Sequence, residues 1–160
     1  MTLYFLVLQY LHVIGATVLL GTGAGIAFFM LRAHLTRDVF VIAGVARIVV
    51  TADFVFTATA VVVQPVTGYL LAKFLGYPVL DGWIALSLIL YAVTGAFWIP
   101  VVLMQIRMRN LAEAAVREGT TLPAAYHRLF WTWFAFGFPA FAAVLGILWL
   151  MTSRPMFSLF

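Results

Sequence analysis

The chain has 160 residues, 66% of them hydrophobic and only 9% charged, with no cysteine and a formal net charge of +4. Soluble domains carry roughly 25% charged residues, so this apolar surplus excludes a water-soluble fold. The absence of cysteine excludes disulfide frameworks, thiolate metal sites and cysteine nucleophiles, and the positive charge gathers at particular connections, as a topology signal does and a nucleic-acid surface does not.

Four apolar runs are each long enough to cross roughly 30 Å of hydrocarbon at about 20 residues per crossing. They predict an all-α, polytopic four-helix bundle in one domain over residues 1–160, with the lipid bilayer as its surroundings. The first run extends from about Leu3 to Leu31. It reads as a membrane span, not a cleaved leader: no basic segment precedes it, it is about twice an ordinary h-region, and no small-x-small site follows. Its "GTGAGIA" is no dinucleotide fingerprint, because no strand precedes it. Gly21 and Gly25 form a small-residue pair opposite His12, suited to close helix approach, including approach between copies in a homo-oligomer.

The second run starts near Val39, is interrupted by Arg47 and continues to about Leu75. Its Gln64-Pro65 pair predicts a kink, with one carbonyl freed a turn earlier. The third runs from about Trp83 to Ile106, and Arg109, Glu113 and Arg117 at i, i+4 spacing extend it as a helix beyond the membrane. Gly119 stops that extension, and "TTLP" predicts a threonine cap for the next helix. The fourth runs from about Leu129 to Met151, with a second kink expected at Pro139. Seven arginines (Arg32, Arg37, Arg47, Arg107, Arg109, Arg117 and Arg128) fall on one side of the membrane, against Lys73 and Arg154 on the other. The positive-inside rule then makes the arginine side cytoplasmic and puts both termini outside, in the periplasm of a bacterial inner-membrane protein.

Polar residues form stripes when the runs are wound at 100° per residue. The first helix aligns Gln9, His12, Gly15, Ala16 and Gly23. The second aligns Asp53, Thr57, Ala60, Gln64, Thr67 and Gly68. The third aligns Trp83, Ser87, Thr94, Trp98 and Gln105, with Tyr91 at its margin. Polar groups facing lipid are costly, so the stripes are expected to face one another, either as hydrogen-bonding glue or as a functional cleft. The antiparallel order puts His12, Gln64, Ser87 and Tyr91 at one level toward the outside. Asp53 lies toward the arginine side, where Arg107 or Arg128 is its expected partner; Arg47 is about 120° away on the same helix.

Three roles stay open for His12. It is a satisfied core residue bonded to Gln64 or Tyr91, an axial ligand to haem b or a porphyrin metal, or a proton-relay or copper residue. The haem reading draws on Gly15 and Ala16, which leave flat room beside the ring, and on an aromatic lining that includes Trp98. His34 and His127 fall in the cytoplasmic flanks, where solvated rings are expected. Two function classes are implied: a membrane redox or porphyrin-handling protein with a redox partner, and a proton- or metal-conducting path along Gln9, His12, Gln64, Asp53 and Thr57. A non-catalytic accessory subunit is the third.

The segments "YLHVIGATVLLGTG", "QPVTG" and "FGFPAF" resemble a bacterial family of predicted integral membrane proteins of unknown function. More distantly, a first-helix "LH", a Pro-Gly second helix, a Trp opening the third helix and an "RP" closing the fourth resemble the HemJ-type protoporphyrinogen IX oxidases and the CopD-type copper-resistance proteins. That resemblance implies a haem-associated role for His12. The HemJ-type enzyme has a lysine one turn after the third-helix Trp, and Ser87 stands there in this chain.

Overall fold

The computed structural model describes residues 3–80 and 82–155. The described residues form helices without a strand: α1 (Leu3–Thr36), α2 (Val39–Ala52), a π-helical turn (Asp53–Thr57), α3 (Ala58–Leu75), α4 (Gly82–Glu118) and α5 (Ala124–Ser153). α2, the π-turn and α3 make one continuous rod, so the four expected spans are all present. At 1.5 Å per residue the 37 residues of α4 reach about 55 Å. That exceeds the hydrocarbon thickness and carries its last turns into the basic end, as the charge pattern predicts. The two chain ends, assigned above to the outer side, lie outside the described residues.

The turns follow local chemistry. Asp38 caps α2, its Oδ1 accepting from the Phe40 N–H at 2.8 Å and the Val41 N–H at 3.3 Å. Gly76 and Gly119 close α3 and α4 in the left-handed conformation, with φ of 74° and 63°. The expected threonine cap on α5 is not formed: Pro123 holds the cap position, and its carbonyl accepts from the Tyr126 N–H at 2.9 Å. Proline offers no side-chain acceptor, so no side-chain cap bond forms there. The i, i+4 pairs on α4 give way as well. Glu113 reaches across to Arg47 on α2 at 3.0 Å, and Arg109 turns to Asn110.

Pro65 and Pro139 both lie inside unbroken helix, and the irregularity of the second span comes earlier, at the π-turn. A π-turn takes in one extra residue and re-aims the helix beyond it. Here it buries Asp53 and Thr57 together, at 3% and 7% exposure.

Packing differs between the two ends. The largest fully buried side chains are Met30, Ile42, Met108, Tyr126 and Phe130. All five belong to one cluster at the basic end, where Ala33, Ala46 and Ala112 let α1, α2 and α4 approach closely. Toward the far end α1 lies on α3 and α4 on α5, but α3 does not pack closely against α4 or α5. Buried residues there are mostly small, among them Gly15, Ala60, Ala72, Ala85, Ser87 and Ala143.

Candidate functional site

His12 sits in the tenth position of α1, about 14 Å along the helix from its described start. Its Nδ1 lies 2.9 Å from Thr67 Oγ1 on α3. The Thr67 hydroxyl has one proton, and its oxygen lies 2.9 Å from the Val63 carbonyl, to which it donates. The threonine oxygen can therefore accept from Nδ1–H, in the tautomer that leaves the ring's lone pair on Nε2. Gln64 meets the same turn of α1 with its carboxamide oriented so that donors face acceptors. Its nitrogen donates to the His12 carbonyl at 2.9 Å and, in the tautomer with the proton on Nε2, to Nδ1 at 3.1 Å, and its oxygen accepts from the Ala16 N–H at 3.0 Å.

Two glycines make this contact possible. A Cβ on Gly15 would stand 2.8 Å from the terminal atoms of the Gln64 carboxamide, and one on Gly68 would stand 3.1 Å from His12 Cε1. The flat room expected beside Gly15 and Ala16 is thus filled by Gln64. Nε2 has no hydrogen-bond partner among the described residues, and the ring is only half-buried.

A second polar network occupies the π-turn. Trp98 Nε1 donates to Asp53 Oδ1 at 3.3 Å. The Gln105 carboxamide, oriented by the same rule, donates to Asp53 Oδ2 at 3.0 Å and accepts from Trp133 Nε1 at 3.2 Å. No cation lies within ion-pairing distance of Asp53 among the described residues, so the expected Arg107 or Arg128 partner is replaced by the Trp98 indole and the Gln105 amide, the latter held by Trp133. The arginines remain in the polar end, where their hydration is retained. Thr57 Oγ1, one π-turn on, is buried without a well-formed hydrogen bond.

The remaining stripe residues fall between or outside these networks. The Tyr91 hydroxyl donates to the Val61 carbonyl, the group that Pro65 frees by lacking an N–H, and not to His12. Ser87 and Thr94 turn their hydroxyls back onto their own helix, to Trp83 O at 2.7 Å and Leu90 O at 2.9 Å. Gln9 is exposed and makes no side-chain hydrogen bond among the described residues, so it stands outside the polar interior in which periodicity places it. The set His12, Gly15, Ala16, Gln64, Ser87, Tyr91 and Trp98 therefore resolves into a His12–Gln64–Thr67 site and a separate Asp53–Trp98 site. Trp133 is not among the residues that the polar stripes single out. The spacing of Trp131 and Trp133 held a clue, because residues two apart on a helix cannot share a face: Trp131 is 56% exposed and Trp133 4%.

His34 departs from its expected solvated state. Its ring stacks on Phe130 with centroids 3.6 Å apart and planes 4° from parallel, and its Nδ1 is buried without a partner. Among the described residues no group of three or more His, Asp or Glu is positioned for a metal ion.

Four long apolar helices enclosing two buried polar networks define a polytopic α-helical membrane protein with a polar interior. More particularly, the chain belongs to the family described as "Predicted integral membrane protein (DUF2269)", whose match spans residues 6–155. No curated protein and no solved structure matches it.

Proposed function

We propose that this protein binds haem b or a related porphyrin in the bacterial inner membrane, with His12 as its proximal ligand through Nε2, in membrane redox or porphyrin-handling work. The carrying observation is the state of the imidazole. Nδ1 lies 2.9 Å from Thr67 Oγ1 and 3.1 Å from the Gln64 carboxamide nitrogen, so the protein holds the ring at that atom, and Nε2 has no protein partner among the described residues. Metal-ligating histidines are held in this way, one ring nitrogen bonded to the protein so that tautomer and orientation are set for the other.

The donor set fits a single imidazole ligand, and Gly68 gives the ring its clearance. The group, when bound, would supply one-electron chemistry or a porphyrin substrate, while Thr67 and Gln64 hold the ring. Protein purified from haem-replete cells should show a Soret band that His12→Ala abolishes while the protein stays folded. A colourless wild type would overturn the proposal.

A second reading rests on the other network. The buried carboxyl of Asp53, the neighbouring buried Thr57 hydroxyl and the π-turn favour a proton or cation path. Asp53→Asn in proteoliposomes should then abolish ion flux while leaving any Soret band intact. Wild-type vesicles without flux would exclude this path.

A further inference from the structure

A cleft of about 490 Å³ opens at the basic end, where the α1–α2 turn faces the α4–α5 connection. Its polar lining is Arg37, His34, His127 and Thr121: three groups that carry or accept positive charge, one hydroxyl and no carboxylate. Asp38, the adjacent acid in the chain, is committed to the α2 cap. Arg37 itself makes no ion pair or side-chain hydrogen bond among the described residues.

The positions of these groups are determined by the fold. Arg37 has a φ of 58°, a left-handed conformation unusual outside glycine, with its N–H on the His34 carbonyl at 3.3 Å. The stack on Phe130 fixes the His34 ring, and the His127 ring stands edge-on to it with centroids 5.6 Å apart. His34 Nδ1 and the hydroxyl of Tyr126, whose ring centroid is 5.8 Å from that of His34, are both buried without partners. Buried polar atoms are rarely left so, and here they adjoin a cleft whose positive groups are uncompensated. The rest of the wall is apolar, formed by Leu35, Val39, Ile42 and Leu122, with Trp131 at its edge.

We propose that this cleft binds a phosphate anion carried by an anionic membrane lipid. Arg37 and the two imidazoles would hold the phosphate oxygens, and Val39, Ile42 and Trp131 would receive the first carbons of the chains. Guanidinium matches phosphate geometry with paired N–H donors, and basic pockets between membrane helices at the headgroup level suit such lipids. The proposal uses neither His12 nor Asp53, so it stands or falls independently of the haem reading.

The test is native mass spectrometry of the full-length protein in neutral detergent, with phosphatidylglycerol and phosphatidylcholine added back and inorganic phosphate in a separate arm. Phosphatidylglycerol should be retained about tenfold better than phosphatidylcholine, and Arg37→Asn with His127→Gln should erase that preference. Asparagine is chosen because it tolerates the left-handed turn. If that double variant does not fold, His127→Gln alone, at an exposed ring, should still lower the preference several-fold.

Retention of phosphatidylglycerol that millimolar phosphate leaves intact supports the site and assigns it to lipid. Binding of inorganic phosphate alone, lost in the same variants, supports the phosphate site and assigns it to the free anion. Equal retention of the two lipids with no phosphate binding, or a preference that the variants leave unchanged, overturns the proposal.

Discussion

Gln105 is the keystone of the inner network, and its removal should be costly in a way that can be worked out beforehand. Its side chain is 3% exposed and links Asp53 Oδ2 to Trp133 Nε1, over 3.0 and 3.2 Å. Gln105→Ala breaks both bonds at once and leaves a carboxyl oxygen and an indole N–H buried without partners. Each such orphan costs about 1–3 kcal/mol, although single polar pairs in membrane bundles average only about 0.6 kcal/mol, because alternative partners are found. A loss of about 2–4 kcal/mol is expected, since both orphans share one dry site. For a chain of this length that is a fall of about 4–16 °C in Tm, read by thermal unfolding in detergent. Gln105→Leu keeps the volume and isolates the polar part. Combining Gln105→Ala with Trp133→Phe should cost less than the sum of the two, with a coupling of about 0.5–1.5 kcal/mol. A Gln105→Ala protein within about 2 °C of wild type, uncoupled from Trp133, would refute the network.

Other consequences are as direct. Tyr91→Phe should cost about 1–3 kcal/mol by orphaning the Val61 carbonyl, and Pro65→Ala should recover part of that loss by restoring a backbone donor, both read from Tm. Gly68→Ala should weaken haem retention measured by the Soret band while changing Tm little, because the three atoms nearest the new Cβ all belong to the His12 ring. Arg47→Ala should change stability by less than about 1 kcal/mol, since the ion pair with Glu113 is largely solvent-screened. Reporter fusions near Arg37 and Gly119 should read cytoplasmic, and one after residue 160 should read external.

Apolar run length was enough to reveal the four spans, because crossing hydrocarbon is a one-dimensional requirement that composition records directly. Helical periodicity also found Asp53, Thr57, Gln64, Thr67 and Gly68 as one face. It failed where facing helices decide. Pairing Asp53 with an arginine assumed that a buried acid seeks a charge, whereas α4 and α5 offered Trp98, Gln105 and Trp133. The space at Gly15 was legible as clearance, but its occupant, Gln64, lies 49 residues further along the chain and is set by helix register. The π-turn leaves no composition signature in "DFVFT", whereas Pro65 drew attention to a stretch that stays helical. His34 was misplaced because its partners, Tyr126 and Phe130, are an apolar pair at i, i+4 spacing whose target only the folded bundle reveals.

The uneven packing gives the molecule a gradient of stiffness along the membrane normal. Interlocked aromatics and methionines at the basic end can separate only by emptying a large volume, whereas alanine and glycine seams at the far end part with little loss of contact. Opening should therefore begin at the far end and stop at the Asp53 level, so that backbone amides near His12 exchange with deuterium sooner than those near Met108. A thinner or thicker bilayer would be accommodated by spreading or closing the α1–α3 pair relative to α4–α5, with the basic end as the fulcrum. Deuterium exchange near His12 should then depend on bilayer thickness, with no ligand acting on the protein.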